Sequence, residues 1–292
     1  MTLLSSPQGT PERVWSLLAG LSALGGGAAR TTYDALLNPG FEREGGTVKA
    51  KPTLAADAHS AASSLKLVET TRDQISLTTA MPDSYVGFAD FIHDRLVALD
   101  YGAADSVVLE GFAWIMAESD RLGEVEWIYQ TSRSDFADRA SAGLTDKDMN
   151  PTKVVAWRRW LSFVGLGVVM PSDRNAPDFP SVSKRLVREL ERSETPPGTV
   201  LAAADFIALI ARRMPYLDRG RLFGQACQRI GHSQNAGRLS PLLSAALREV
   251  HDDQTLRLVP SGDAADRLRL SEDPAHSIDA FTTVVFFPGN FQ

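Results

Sequence analysis

Residues 10–80 contain three amphipathic helices followed by a two-stranded hairpin, and this order constrains the fold more than any other feature of the chain. Thr10-Pro11 has the composition of a helix start, since the hydroxyl can cap the helix and proline suits its first position. The first helix is predicted to end at Gly25-Gly26-Gly27, and its apolar face consists of Val14, Leu17, Leu18, Leu21 and Leu24. Further helices are predicted over 31–37 and 52–65, and strands over 65–69 and 75–79. This layout is typical of a winged helix-turn-helix, a module that binds nucleic acid or a protein partner.

The third helix decides whether such a module contacts DNA, because the second helix of the helix-turn-helix pair enters the major groove. Basic and hydroxyl side chains contact phosphates, and the candidates on or beside this helix and at the hairpin tip are Lys49, Lys51, Ser60, Ser63, Ser64, Lys66 and Arg72. The helix carries no Arg, Asn or Gln that could read bases, so the predicted DNA binding is non-specific. The alternative is a winged helix that packs only against protein, with these side chains in solvent.

Similar patterns farther along the chain predict a mainly α protein with short β-hairpins, built from tandem winged helix-turn-helix modules. The predicted division is a winged-helix module at 1–80, a helical acidic region at 81–149, a weaker winged-helix module at 150–195 and a C-terminal winged-helix module at 196–292. The hairpin of the last module is predicted to pair 255–259 with 266–270.

The helix predicted at 153–163 carries two candidate DNA-binding arginines, Arg158 and Arg159, on its exposed face. Trp157 and Trp160 share the opposite face, which helical spacing assigns to the core.

The aromatic C-terminal tail is predicted to bind a protein partner through Phe281, Phe286 and Phe287, because aromatic side chains are frequent interface anchors. The alternative is that the tail completes the core of its own module.

Charge is unevenly distributed along the chain, although the net charge of the whole is only −6. Residues 81–146 have a net charge of −9, and residues 147–248 have a net charge of +8. The basic block is predicted to face phosphate and the acidic block a protein partner. The alternative is that the two blocks neutralise each other within the fold.

The sequence carries no recognisable catalytic signature, which predicts a protein that is not an enzyme and needs no cofactor or metal. The five histidines show no metal-ligand spacing, and the chain contains neither a phosphate-binding GxxxxGK[ST] loop nor a GxSxG elbow. Cys227, the single cysteine, lies in a predicted helix interior and is interpreted as a small core residue. No apolar stretch approaches the roughly 20 residues of a membrane span, and the N-terminus does not resemble a signal peptide, so a cytoplasmic location is expected.

Three segments, SPQGTPERVWSLLAGLSALGGG, LLNPG and NPTKVVAWRRWLSFVGLG, resemble the DpdG family. This family is an accessory component of bacterial clusters that install 7-deazaguanine bases in DNA and restrict foreign DNA. The resemblance implies a non-catalytic, DNA-binding or scaffolding subunit of an anti-phage defence assembly, beside helicase and nuclease partners. The alternative is a stand-alone winged-helix transcriptional regulator that binds an operator as a dimer.

Overall fold

The computed structural model describes residues 2–37, 53–144, 149–168, 179–260 and 267–287. A 3₁₀ turn at Leu3–Ser5 precedes the helices α1 (Pro11–Ala23), α2 (Arg30–Leu37), α3 (Thr53–Ser64), α4 (Tyr85–Val97), α5 (Val107–Leu122), α6 (Trp127–Gln130), α7 (Arg133–Gly143), α8 (Pro151–Phe163), α9 (Ser183–Glu191), α10 (Ala203–Arg213), α11 (Arg221–Arg229) and α12 (Pro241–Asp252). The strands are β1 (Gly27–Ala29), β2 (Val68–Thr70), β3 (Gln74–Leu77), β4 (Gly167–Val168), β5 (Phe179–Pro180), β6 (Val200–Ala202), β7 (Leu256–Val259), β8 (Leu268–Arg269), β9 (Ala280–Phe281) and β10 (Thr283–Phe286). The prediction of a mainly α chain with short antiparallel strands is therefore confirmed.

The chain forms two compact units. The first consists of Met1–Leu99, Ala103–Asp105 and Pro151–Val164, and the second of Asp100–Gly102, Ser106–Asn150 and Gly165–Gln292. Residues 150–195 were expected to form one module, but α8 packs with the first unit and α9 with the second.

The first unit begins with α1, β1, α2 and α3, which are followed by the hairpin β2–β3. The three strands form an antiparallel sheet in the order β1-β3-β2, with Ala28 opposite Ile75 and Thr70 also opposite Ile75. Strand β1 was not predicted, because three small residues carry no alternating pattern. Thr10 occupies the cap position of α1, but its side chain makes no capping hydrogen bond. Pro11 lies in the first turn of the helix, as predicted.

The core of the first unit lies between α1, α3, α4 and α8. The predicted apolar face of α1 is buried at Val14, Leu17, Leu18 and Leu21, whereas Leu24 is exposed. Aromatic rings extend this core, with centroid distances of 5.3 Å for Trp15 and Phe88 and 5.4 Å for Phe88 and Phe163. Large apolar areas of this kind supply most of the stabilisation of a small unit.

The second unit contains the sheet β6-β10-β7 and the separate strand pairs β4–β5 and β8–β9. The predicted hairpin between 255–259 and 266–270 is wrong, because β7 pairs with β10 and β8 pairs with β9. A central strand that comes from the C-terminal tail replaces the expected local partner. A single helix is also predicted over 200–212 from its apolar spacing, but the first three of these residues form strand β6.

A buried ion-pair network holds α9 against α10 in the second unit. Glu189 is buried, with 2% of its surface exposed. Its carboxylate lies 3.2 Å from Arg185, 2.8 Å from Arg192 and 2.8 Å from Arg213. Arg185 is itself 1% exposed. Removing one partner of such a network leaves a buried charge without compensation, so Arg185, Arg192 and Arg213 have a structural role here.

Candidate nucleic-acid interface

Two exposed cations of the first unit lie at the end of α3 and at the tip of the hairpin. Lys66 follows α3 with a φ of 54°, in the left-handed region, and Arg72 lies in the turn between β2 and β3. The Thr71 N–H donates to the carbonyl of Gln74 over 2.9 Å and closes this turn. Both predicted phosphate-contacting side chains therefore lie on the surface, on backbone that the fold holds in place.

The three serines predicted to contact DNA have different environments. Ser63 is exposed, whereas Ser60 and Ser64 are half-buried. The Ser64 hydroxyl donates to the carboxylate of Asp105, which also accepts the Leu3 N–H over 2.7 Å. Ser64 thus fixes the end of α3, and Ser63 is the serine whose exposure suits phosphate contact.

Charge around the hairpin is mixed rather than uniformly basic. Glu69 and Asp73 are exposed close in sequence to Arg72. Lys49 and Lys51, two of the predicted DNA-binding residues, lie outside the described residues. In the described part of the first unit, the basic side chains are therefore separate cations and do not form a continuous basic surface.

Helix α8 confirms the prediction for its tryptophans and separates its two arginines. Trp157 and Trp160 are buried in the first unit, at 2% and 1% exposure. Arg159 is exposed, whereas Arg158 is half-buried. Arg159 is therefore the better placed of the two for contact with DNA.

The aromatic tail lies mostly inside the second unit. Phe281 is 0% exposed and Phe286 is 5% exposed, and the latter belongs to the central strand β10. Phe287 is half-buried, with the Arg257 guanidinium 5.4 Å from its ring centroid. The assignment of Phe281 and Phe286 to a partner surface is not supported, because a buried side chain could reach a partner only if its strand left the sheet.

The acidic region is also less exposed than its sequence suggests. Glu110, Glu118 and Asp120 of α5 are all buried. Hydrogen bonds from Arg121 and Arg139 hold the pKa of Glu118 below its ordinary value. The net charge of −9 therefore overstates the acidic surface of this region.

Cys227 is buried, in agreement with its interpretation as a core residue. Burial raises the pKa of its thiol to about 12, and the nearby Asp120 and Asp218 carboxylates act in the same direction. A thiol in this environment is protonated at neutral pH and is a poor nucleophile.

Three exposed arginines that were not among the predicted site residues border one cavity of the second unit. Arg212 is in the last turn of α10, and Arg219 and Arg221 lie at the start of α11. A signal was present in the sequence, because the segment RRMPYLDRGR places four arginines around a proline–glycine turn. Only the folded turn shows that three of them border one cavity.

Within the described ranges, no helix combines the length and the apolar character needed to cross a bilayer. No curated protein and no solved structure matches the chain significantly. A family model described as DpdG-like matches residues 1–264, which is most of the chain. The chain therefore belongs to the DpdG-like family.

Proposed function

We propose that this chain is a non-catalytic, DNA-binding subunit of the Dpd defence system and that its first unit is a winged-helix module. Membership of the DpdG-like family supports the association with a multi-protein Dpd system. The observation that carries the DNA-binding part is the first unit's element order, with a three-stranded sheet behind α3 and Arg72 at the tip of the hairpin.

In this proposal the module contacts the phosphate backbone and reads little sequence. Ser63 and Lys66 at the end of α3 and Arg72 at the hairpin tip supply the contacts in the described part of the unit. The face of α3 is rich in alanine and serine, which offer none of the bidentate base contacts that Arg, Asn or Gln make. Affinity is then dominated by the release of counterions and falls steeply as salt increases.

The test is fluorescence anisotropy of a labelled 20-base-pair duplex with the full chain, at several salt concentrations from about 50 to 200 mM. Lys66→Glu/Arg72→Glu is expected to weaken binding and to lower the slope of log affinity against log salt by about 2, because two phosphate contacts are lost. Arg159→Glu, tested separately, should reduce the slope by about 1 if α8 also contacts DNA.

Arg267→Glu is the matched control, because Arg267 is an exposed arginine of the second unit. It should leave the slope unchanged. A DNA affinity that does not change with salt, or a strong preference for one short sequence, would contradict the proposal. Equal losses of DNA affinity for Lys66→Glu/Arg72→Glu and for Arg267→Glu would also contradict it. Thermal unfolding of each variant should change little, since exposed substitutions rarely shift stability by more than about 0.5 kcal/mol.

A further inference from the structure

An open cavity of about 480 Å³ lies between α10 and the start of α11 in the second unit. Its lining consists of Ala204, Ala208, Ala211, Arg212, Pro215, Arg219, Gly220 and Arg221. The volume falls within the range typical of small-molecule sites. The lining combines small apolar side chains with three guanidinium groups and includes no acidic residue.

Alanines on α10 leave the space open. Ala204 and Ala208 are one helical turn apart and both are exposed, so no long side chain from this face fills the cavity. Ala211 and Pro215 continue the apolar surface, and both are buried. This floor can accept a flat apolar ring.

A tight turn positions the arginines on the far side of the cavity. The carbonyl of Pro215 accepts the N–H groups of Leu222 over 2.9 Å and of Phe223 over 3.2 Å. A Cβ at Gly220 would lie only 2.3 Å from the same carbonyl oxygen, so glycine is required for the chain to turn this closely. The turn therefore has a fixed geometry and places Arg219 and Arg221 beside the cavity that Arg212 also borders.

Arg219 has two unusual features for a surface residue. Its φ of 63° lies in the left-handed region, which a non-glycine residue seldom occupies and which is enriched at functional sites. Its Nη2 donates to the carbonyl of Ala236 over 2.7 Å, which fixes the guanidinium group in place. An arginine oriented in this way can offer its other N–H groups to a phosphate.

The adjacent charges show why this cavity favours an anion. Arg213, next to Arg212 in sequence, is neutralised by Glu189. Asp218, the acidic residue of the turn, is 0% exposed, and its carboxylate is bonded to Ser240 inside the unit. Asp205 of α10 is exposed but does not line the cavity, so the only charged side chains in the lining are those of the three arginines.

We propose that this cavity binds a nucleotide, with its phosphate on Arg212, Arg219 and Arg221 and its base against the alanine floor. Planar, multiply donating guanidinium groups recognise phosphate oxygens well. The nucleotide can be free or can be the terminal, unpaired nucleotide of a DNA strand. The cavity belongs to the second unit, so this proposal does not depend on whether the first unit binds duplex DNA.

Isothermal titration of the full chain tests this assignment with each of the four deoxynucleoside monophosphates, the matching deoxynucleosides, inorganic phosphate, and a single-stranded oligonucleotide with or without a 5′-phosphate. At least one monophosphate should bind more tightly than both its deoxynucleoside and inorganic phosphate. Tighter binding of the free monophosphate would identify a free nucleotide as the ligand. Tighter binding of the 5′-phosphorylated strand would instead identify the terminal, unpaired nucleotide of a DNA strand. Failure of wild-type protein to bind any monophosphate or the phosphorylated strand would overturn the proposal, as would equal affinity for phosphate alone.

Variants locate the binding. Arg212→Glu and Arg219→Asn should each weaken nucleotide binding at least about tenfold, because each removes charge-assisted hydrogen bonds. Asparagine tolerates the left-handed backbone at position 219, so this variant should remain folded. Ala208→Leu retains every arginine but fills the floor, and it should block nucleotides while leaving phosphate binding intact.

Two controls separate this site from the proposed function. Arg267→Glu removes an exposed arginine elsewhere in the same unit, and Arg72→Glu alters the proposed duplex-binding surface of the first unit. Both should retain nucleotide binding. If Arg72→Glu abolishes it while Arg212→Glu does not, the cavity is not the nucleotide site, whatever the outcome for duplex DNA.

Discussion

Asp218→Asn exchanges a buried carboxyl group for an amide of nearly the same shape. Asp218 is 0% exposed, and its Oδ1 accepts the Ser240 N–H over 2.7 Å and the Gln234 amide over 2.6 Å. Its Oδ2 accepts the Ser240 hydroxyl over 2.6 Å. An asparagine can keep the first two bonds through its oxygen and donate its own N–H to the Ser240 hydroxyl.

Burial raises the pKa of Asp218 from 3.8 to about 6, against the opposing effect of the Ser240 hydrogen bonds, and the nearby Asp120 contributes in the same direction as burial. The native state therefore holds a proton between pH 4 and 6 that the unfolded chain has released. Stability from this group is fully present below the unfolded pKa and is lost as pH rises through the folded pKa. At 1.36 kcal/mol per pKa unit, the loss is about 3 kcal/mol by pH 7.

Asp218→Asn has no such titration, so the difference in unfolding free energy, variant minus wild type, should increase by about 2 kcal/mol between pH 4 and 7, because part of the loss has already occurred at pH 4. The assay is urea unfolding at several pH values, with pulsed hydrogen exchange and mass spectrometry of peptides from α12. This readout follows the second unit separately, which matters because a chain with two units need not unfold in one step.

Asp205→Asn is the control, since Asp205 is an exposed carboxyl group on α10. Its difference from wild type should be nearly constant over the same pH range. A flat difference for Asp218→Asn, or one that decreases as pH rises, would refute the argument that burial of the charged carboxylate destabilises the native state.

Two further substitutions, each with a matched control substitution, test the packing of the second unit. Glu189→Gln should lower the unfolding free energy by about 3–5 kcal/mol because it leaves buried arginine charge uncompensated, whereas Glu191→Gln, which affects a partly exposed pair, should cost less than about 1 kcal/mol in the same urea titration. Equal effects would show that burial of the network is unimportant. Gly220→Ala should prevent normal folding of the turn, because its Cβ would lie 2.3 Å from the Pro215 carbonyl oxygen, whereas Gly224→Ala, on open helix surface, should raise stability by up to about 1 kcal/mol. Thermal unfolding measures both, and a folded, unchanged Gly220→Ala variant would contradict the described turn.

The helices were predictable from sequence because each contains its own signal. Periodic apolar residues place α1 and α8 within about two residues of their observed bounds, which is the ordinary uncertainty of a helix end. The cores of these helices also follow from periodicity, as the buried Trp157 and Trp160 show. These features depend on residues that are close together in the chain.

The strands were harder to predict because their partners are distant in sequence. β6 consists of three residues and pairs with β10 about 80 positions later, so no local alternation indicates it. The segment 255–259 does alternate, and it is a strand, but alternation specifies an exposed and a buried face without specifying the neighbour. Its partner is the tail strand that contains Phe286, and this pairing places that ring inside the second unit.

Net charge indicated a basic block but not which of its arginines border the cavity, and the reason is physical. The block from 147 to 248 has a net charge of +8, yet several of its arginines are engaged within the second unit. Glu189 compensates Arg185, Arg192 and Arg213, and Arg248 donates to the carbonyls of Ser271 and Ile278. Arg212, Arg219 and Arg221 are exposed and border one cavity that no acidic side chain lines. The sum of charges treats both groups alike, whereas the affinity for an anion depends on where the acidic partners lie, and only the fold determines that.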